Sequence, residues 1–222
     1  MIGQARTPLS RERVLAAAVA LADAEGLPAL TMRRLAADLG VEAMSLYYHL
    51  PGKNGLLDGL VETVIAEAVG RAATPRPAAD WRDTLRDWFL AARVVMLRHP
   101  WAPTLMGPGR GLPPGLYAYY ERILATLIGA GFSYRIAHRA LHAFGSMPLG
   151  FVQELFSPAP GGTGEVEEAD LAAMAAALPN LTAMVAAELH DTTDPTLGWC
   201  DSQVEFEFTL DLLLDGLERL RT

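Results

Sequence analysis

The chain has 222 residues, room for one large domain or two small ones, and half of them are apolar, enough for a sizeable core. A single cysteine, Cys200, excludes a disulfide framework and a cysteine-based zinc site. The net charge of −8 argues, as an average, against nucleic acid. No apolar run approaches the roughly 20 residues that cross a bilayer, and the N-terminus has no signal-peptide core, so a cytoplasmic protein with no membrane partner is expected.

Helical periodicity dominates from the start. Val14, Leu15, Ala18, Leu21 and Ala22 form one face of a first helix, with Ser10 as its N-cap and Gly26 as its stop. Thr31 can cap a short second helix carrying Leu35, Ala36 and Leu39, which Gly40 breaks. A third short helix runs from Ala43 to His49, stopped by Pro51 and Gly52. A fourth carries Leu56, Leu57, Leu60, Val61, Val64 and Ile65. The Pro-rich stretch 72–80 is the expected seam between parts. Beyond it, Trp81, Leu85, Trp88, Ala92 and Val95 mark a fifth helix, closed at His99-Pro100 because the residue before proline avoids helical backbone.

After a Gly- and Pro-rich loop at 107–115, a helix carries Leu116, Tyr120, Ile123 and Leu127. Another spans roughly 133–156 with a kink expected at Pro148. The stretch 157–164 reads as flexible. A helical region with Leu171, Met174, Leu178, Leu181, Met184 and Val185 follows, and then a last helix. No segment alternates as a strand does. The expected fold is all-α, with nine or ten helices.

Two short helices joined through Gly40-Val41-Glu42 form a helix-turn-helix signature, the second helix being the reader. Its residues Ala43, Met44, Ser45, Tyr47, Tyr48 and His49 cannot all face a small core. Hydroxyls of Tyr47, Tyr48 and Ser45 suit phosphates, and Ala43 or Met44 suits a thymine methyl. Thr31 stands at a helix N-terminus, which favours a phosphate, and Lys53 is placed for the backbone. Arg6, Arg11 and Arg13 can form an arm toward DNA. Charge is distributed accordingly. Residues 1–60 are neutral, 61–153 carry +4, and 154–222 carry −12.

The stretch from Leu30 to Leu60 closely resembles the DNA-binding domain of the TetR family of transcriptional regulators. The resemblance rests on Leu46-Tyr47-Tyr48-His49, Lys53 and Leu56-Leu57-Asp58 standing in register. It implies phosphate contacts from Tyr47, His49 and Lys53, a base or backbone contact from Arg33, and base reading by Ala43, Met44 and Ser45. The chain departs from tetracycline repressor at Ala43 and Met44, so the operator sequence does not carry over. Phe206–Leu220 and Leu149–Glu154 resemble the C-terminal region of the tetracycline-repressor-type subfamily. The resemblance implies a DNA-binding domain at 1–52, a connecting helix at 53–74, and a ligand-binding and dimerisation domain at 75–222.

The last helix carries Phe206, Leu210, Leu213, Leu217 and Leu220 at four-three spacing, a coiled-coil-like seam, with Val204, Phe208 and Leu212 as a second strip. The resemblance implies a four-helix dimer interface made by the eighth and tenth helices of two chains, and so a homodimer on a double-stranded palindromic operator. It also implies a cavity between helices five and eight for a small organic effector. Trp88, Phe89, His99, Trp101, Leu105, Met106, Tyr117, Tyr120, Phe144, Met147 and Phe151 suit an apolar ligand there. Tetracycline–magnesium recognition is not evident, His99 being the one match. His99-Pro100-Trp101 is a candidate gate.

Catalysis finds little support, and no cofactor or metal is expected. His138 and His142 have metal-binding spacing but lack the Glu after the first His that a zinc hydrolase needs. Ser146 lacks a nucleophile elbow, and 107–111 is no phosphate loop. The expected function is a ligand-responsive DNA-binding regulator, a repressor by the family's default. The alternative is a helical small-molecule-binding protein, or an enzyme, that keeps the helix-turn-helix as scaffold.

Overall fold

A computed structural model describes residues 8–72, 80–106, 113–151, 175–187 and 202–221. All regular structure among them is helical: α1 Arg11–Glu25, α2 Met32–Leu39, α3 Ala43–Tyr47, α4 Gly52–Arg71, α5 Trp81–Arg98, α6 Ala102–Leu105, α7 Pro114–Gly129, α8 Tyr134–Gly150, α9 Pro179–Ala187 and α10 Ser202–Glu218. A 3₁₀ turn, Leu27–Ala29, joins α1 to α2. Compact packing divides the described residues into two units, one within Met1–Val152 and Leu213–Thr222 and the other within Gln153–Leu212.

Local chemistry sets the element ends. The side chains of Ser10, Thr31, Asp80 and Ser133 each accept a hydrogen bond from the amide three residues on, which satisfies a donor the helix leaves open. Gly40 closes α2 in the left-handed region, φ 67° and ψ 37°, so the chain turns directly into α3. The reading helix is shorter than its sequence pattern suggests. It ends at Tyr47, and the amides of His49 and Leu50 both return to the Leu46 carbonyl.

The first unit's core joins the reader to the helices that follow it. Val14, Ala18, Leu30, Leu35, Leu46, Leu56, Leu60 and Val64 are buried together with Val95, Trp101, Ala102 and Leu105. The long α4 packs against α1, α5, α6 and α7. It lies tight against α1 at Gly59, where an added Cβ would be 2.5 Å from Leu15 Cδ2 and 3.1 Å from Cδ1. Gly59→Ala is therefore expected to cost about 1–3 kcal/mol by overpacking. A thermal melt checks this, and an unchanged midpoint would mean that Leu15 has room to turn aside.

Pro148 lies inside α8, and Phe151 caps it. The expected continuation to residue 156, the flexible stretch 157–164, and Leu171 and Met174 lie outside the described residues, as do Arg6 and Cys200.

The last helix requires a correction. Its inward stripe is Phe206, Leu210, Leu214 and Leu217, all buried in the single chain. Of the residues expected to form the dimer seam, only Leu220 is exposed, and Leu213 is half-buried. The outward apolar strip is Val204, Phe208 and Leu212, each more than half exposed. The helix is apolar on two sides, and the first of them is buried within the single chain.

Candidate functional site: a reading helix and an aromatic interior

In α3 only Leu46 is buried, plugged into the core beneath α1, α2 and α4. Met44, Tyr47 and Tyr48 beside it point away from the protein. Met44 is 69% exposed, Tyr47 48% and Tyr48 88%. Ala43, Ser45 and His49 are half-buried, while Thr31, Arg33 and Lys53 are exposed. Large apolar groups left in water on a five-residue helix contribute nothing to the fold, which marks the face as a contact surface.

The cations around this face differ in availability. Arg34 is held by Glu25 and Asp38, with contacts of 2.7 and 3.0 Å. Arg11 is held by Glu62 at 2.7 Å. Lys53 is the second residue of α4, where a lone cation opposes the helix dipole. The N-cap of α4, Pro51, offers no side-chain acceptor to the first amides of the helix. An anion there would satisfy those amides and Lys53 together.

The second region lies between α5, α7 and α8. Phe89 and Phe144 stack with centroids 4.9 Å apart. Trp88 donates its indole N–H to the Ala72 carbonyl at 3.0 Å, and the Arg122 guanidinium sits 4.6 Å from its ring centroid. Tyr119 lies beside Trp88, with centroids 6.4 Å apart. Its hydroxyl is the one buried side-chain polar atom among the described residues that has no hydrogen-bond partner. Burial pushes its pKa well above the usual tyrosine value, so the group stays a neutral donor. Arg93 is buried and donates to the Phe151 carbonyl at 3.1 Å. Tyr120 is half-buried, and desolvation raises its pKa too.

The residues expected to line a cavity here divide between this interior and other places. Trp88, Phe144 and Met147 are buried in the α5 and α8 faces, and Phe151 joins them through Arg93. Tyr117 is 59% exposed. Trp101 and Leu105 are buried in the core under the reader, and Met106 packs on that core. His99 is not a free ligand-facing group. Its Nδ1 lies 2.7 Å from Asp23 Oδ1, and its Nε2 lies 3.1 Å from Glu67 Oε2. The Trp101 indole N–H donates to the same Asp23 oxygen at 2.7 Å. Glu67 also takes Arg71 and Arg98. The expected gate is thus a strut that ties α1 and α4 to the end of α5.

Two interior groups, Tyr119 and Arg93, escape the sequence pattern. The buried α7 stripe is Tyr119, Ile123 and Leu127, a strict four-residue repeat that competes with the stripe through Tyr120. Among the described residues no group of three or more His, Cys, Asp or Glu could hold a metal ion, and no helix is long and apolar enough to cross a membrane.

Residues 14–60 match the family model described as bacterial regulatory proteins, tetR family, and residues 74–221 match the tetracyclin repressor-like C-terminal domain. An HTH-type transcriptional regulator of Saccharopolyspora erythraea is 34% identical over 131 residues, which is 58% of this chain and 54% of that protein. The chain thus spans about half the length of that relative. Tetracycline repressor protein class C of Escherichia coli is 30% identical over 96% of this chain and 92% of its own. A crystal structure of a TetR variant from Acinetobacter baumannii in complex with minocycline is similar with a TM-score of 0.67 and 28% identity, over 97% of this chain and 99% of that one.

Proposed function

Because the chain belongs to the TetR family of bacterial regulators, we propose that it is a ligand-responsive DNA-binding repressor, acting as a homodimer on a palindromic operator and released by a small organic effector. The observation that carries this is the outward face of α3, where Met44, Tyr47 and Tyr48 are exposed around the single buried Leu46. Met44 and Ser45 stand where base edges are read. Tyr47, His49, Arg33, Thr31 and Lys53 stand where phosphates run. Two such heads related by a two-fold axis meet one face of DNA about 34–36 Å apart.

The exposed strip Val204, Phe208 and Leu212 is the surface of α10 that a second copy covers. The effector enters the interior between α5, α7 and α8, where aromatic faces meet the unpaired Tyr119 hydroxyl. An effector that binds better to the spacing that misfits DNA shifts the dimer off its operator. The α4 helix carries that shift, because it packs on α1 at one end and bears Glu67, the partner of His99, at the other. This model fails if operator-bound and effector-bound dimers have the same separation of reading helices.

The test is salt-dependent binding to palindromic DNA upstream of the protein's own gene. With Arg11 and Arg34 held in ion pairs and Arg13 half-buried, Arg33 and Lys53 are the exposed described cations of the reader that are counted toward phosphate. Two of each per dimer give a log–log salt slope of about −3 to −4, and Lys53→Ala reduces it by about 2 while weakening all sequences alike. Replacing Met44 or Ser45 shifts base preference instead, by about 1–3 kcal/mol at the contacted pair. Absence of saturable binding at low salt to any such DNA overturns the reading.

A further inference from the structure

His138 and His142 stand four residues apart on α8, so their side chains leave the same face of the helix one turn apart. Both are exposed. Their Nε2 atoms lie 3.2 Å from each other, and the rings are nearly perpendicular at 79° with centroids 4.7 Å apart. Two imidazole nitrogens bound to zinc at about 2.0–2.1 Å are roughly 3.3 Å apart at a tetrahedral angle and about 2.9 Å apart at a right angle. The observed separation falls between those limits. The pair already stands at the bite of a first-row transition ion, held there by the hydrogen bond between the two Nε2 atoms.

We propose that His138 and His142 form a two-histidine clamp for a late first-row divalent cation on the outer face of α8, with water in the remaining coordination positions. When the cation enters, the Nε2 proton that bridges the pair moves by way of solvent to the Nδ1 of its own ring, so both imidazoles stay neutral and each ligates through a free Nε2. Imidazole ligation selects the class of ion, since it suits zinc, nickel and copper, whereas magnesium and calcium demand oxygen. Arg135 and Arg139 flank the pair on the same helix and repel any cation by charge alone. Binding therefore depends on nitrogen coordination, and an ion held only by charge is excluded. Neither histidine belongs to the reading face or the aromatic interior, but α8 is a helix that the family resemblance places in the dimer interface, so an ion shared by two copies is one outcome of the titration.

The test is isothermal titration of the full-length, untagged protein with copper(II), nickel(II), zinc(II) and magnesium salts. Saturable binding is expected in the order copper above nickel and zinc, with none for magnesium. One ion per chain supports the clamp, and so does one per two chains if the pairs of two copies meet. His138→Ala and His142→Ala should each weaken nickel binding at least tenfold. Because both side chains are exposed, the thermal melt of each metal-free variant should match that of the parent protein, which separates a lost ligand from a lost fold. The proposal is overturned by no nickel or zinc binding at millimolar ion, by equal binding of magnesium, or by unchanged nickel affinity in both variants.

Discussion

Replacing His99 by alanine is expected to lower the melting temperature by about 4–8 °C. The imidazole is 3% exposed and stands between Asp23 of α1 and Glu67 of α4, with Trp101 sharing the Asp23 oxygen. Removing one member of a buried polar network costs about 3–5 kcal/mol when its partners stay dry. Here the two carboxylates keep 30% and 28% of their side-chain exposure, so about 2 kcal/mol is the proper scale, and each kcal/mol is about 2–4 °C for a chain of this size.

The effect should depend on pH. Desolvation alone would raise the Glu67 pKa. The hydrogen bonds from His99 and Arg71 and the charges of Arg98 and His99 outweigh it and hold the group below its ordinary 4.5. A folded value below the unfolded one stabilises fully above the ordinary carboxylate range and is lost as pH falls through the folded value. The melting curves of parent and His99→Ala should therefore lie farthest apart near neutrality and converge below about pH 4.5. Calorimetry across pH 3–7 reads this directly, and a constant gap would remove Glu67 from the account.

Phe208→Glu is expected to split the proposed homodimer. Phe208 is 60% exposed, flanked by Val204 and Leu212 at 57% and 55%. A charge placed in the middle of a self-complementary apolar strip is duplicated across the two-fold axis, so each copy faces a like charge as well as an unfavourable desolvation. Sedimentation should show monomer in place of dimer, with helicity unchanged because the side chain has no role in the chain's own core. Each half-site would then bind alone, and affinity for a full palindrome should fall by about 10²–10⁴-fold as the second contact ceases to be intramolecular. A Phe208→Glu protein that remains dimeric and holds the palindrome as tightly as its parent would exclude this strip as the interface.

Most of the reader was legible from sequence, because its determinants are local. Ser10, Thr31, Gly26 and Gly40 act on amides within four residues, and a helix-turn-helix is fixed by such short-range punctuation. The α10 stripe was not, for a physical reason. Periodicity reveals that a helix is apolar on two sides but carries no mark of which side its own chain covers. Leu213 stands one residue, about 100°, from Leu214, while Phe206, Leu210 and Leu217 are common to the expected and the buried stripe, so what was hidden is what covers that face. His99 misled in another way. Its position before Pro100 ends a helix correctly, yet its partners Asp23 and Glu67 lie 76 and 32 residues away, beyond any spacing rule. Tyr119 was hidden by its neighbours Tyr117 and Tyr120, since three tyrosines within four positions leave the phase of the helix undetermined by residue type.

The single anchor of α3 has a consequence for how such proteins diversify. Leu46, with Ala43 packed beside it, ties the helix to the body, and Met44 and Tyr48 have little or no part in its packing. Substitutions at these positions fall in the class that changes stability by less than about 0.5 kcal/mol. The recognised sequence can therefore drift, or be redesigned, one outward residue at a time, without a compensating repair elsewhere in the protein. The interior between α5 and α8 has no such freedom, because there the stacked Phe89 and Phe144 are scaffold, and on the proposed function they would also be the wall an effector meets. A lineage built on this chain should acquire new target genes more readily than new chemical signals.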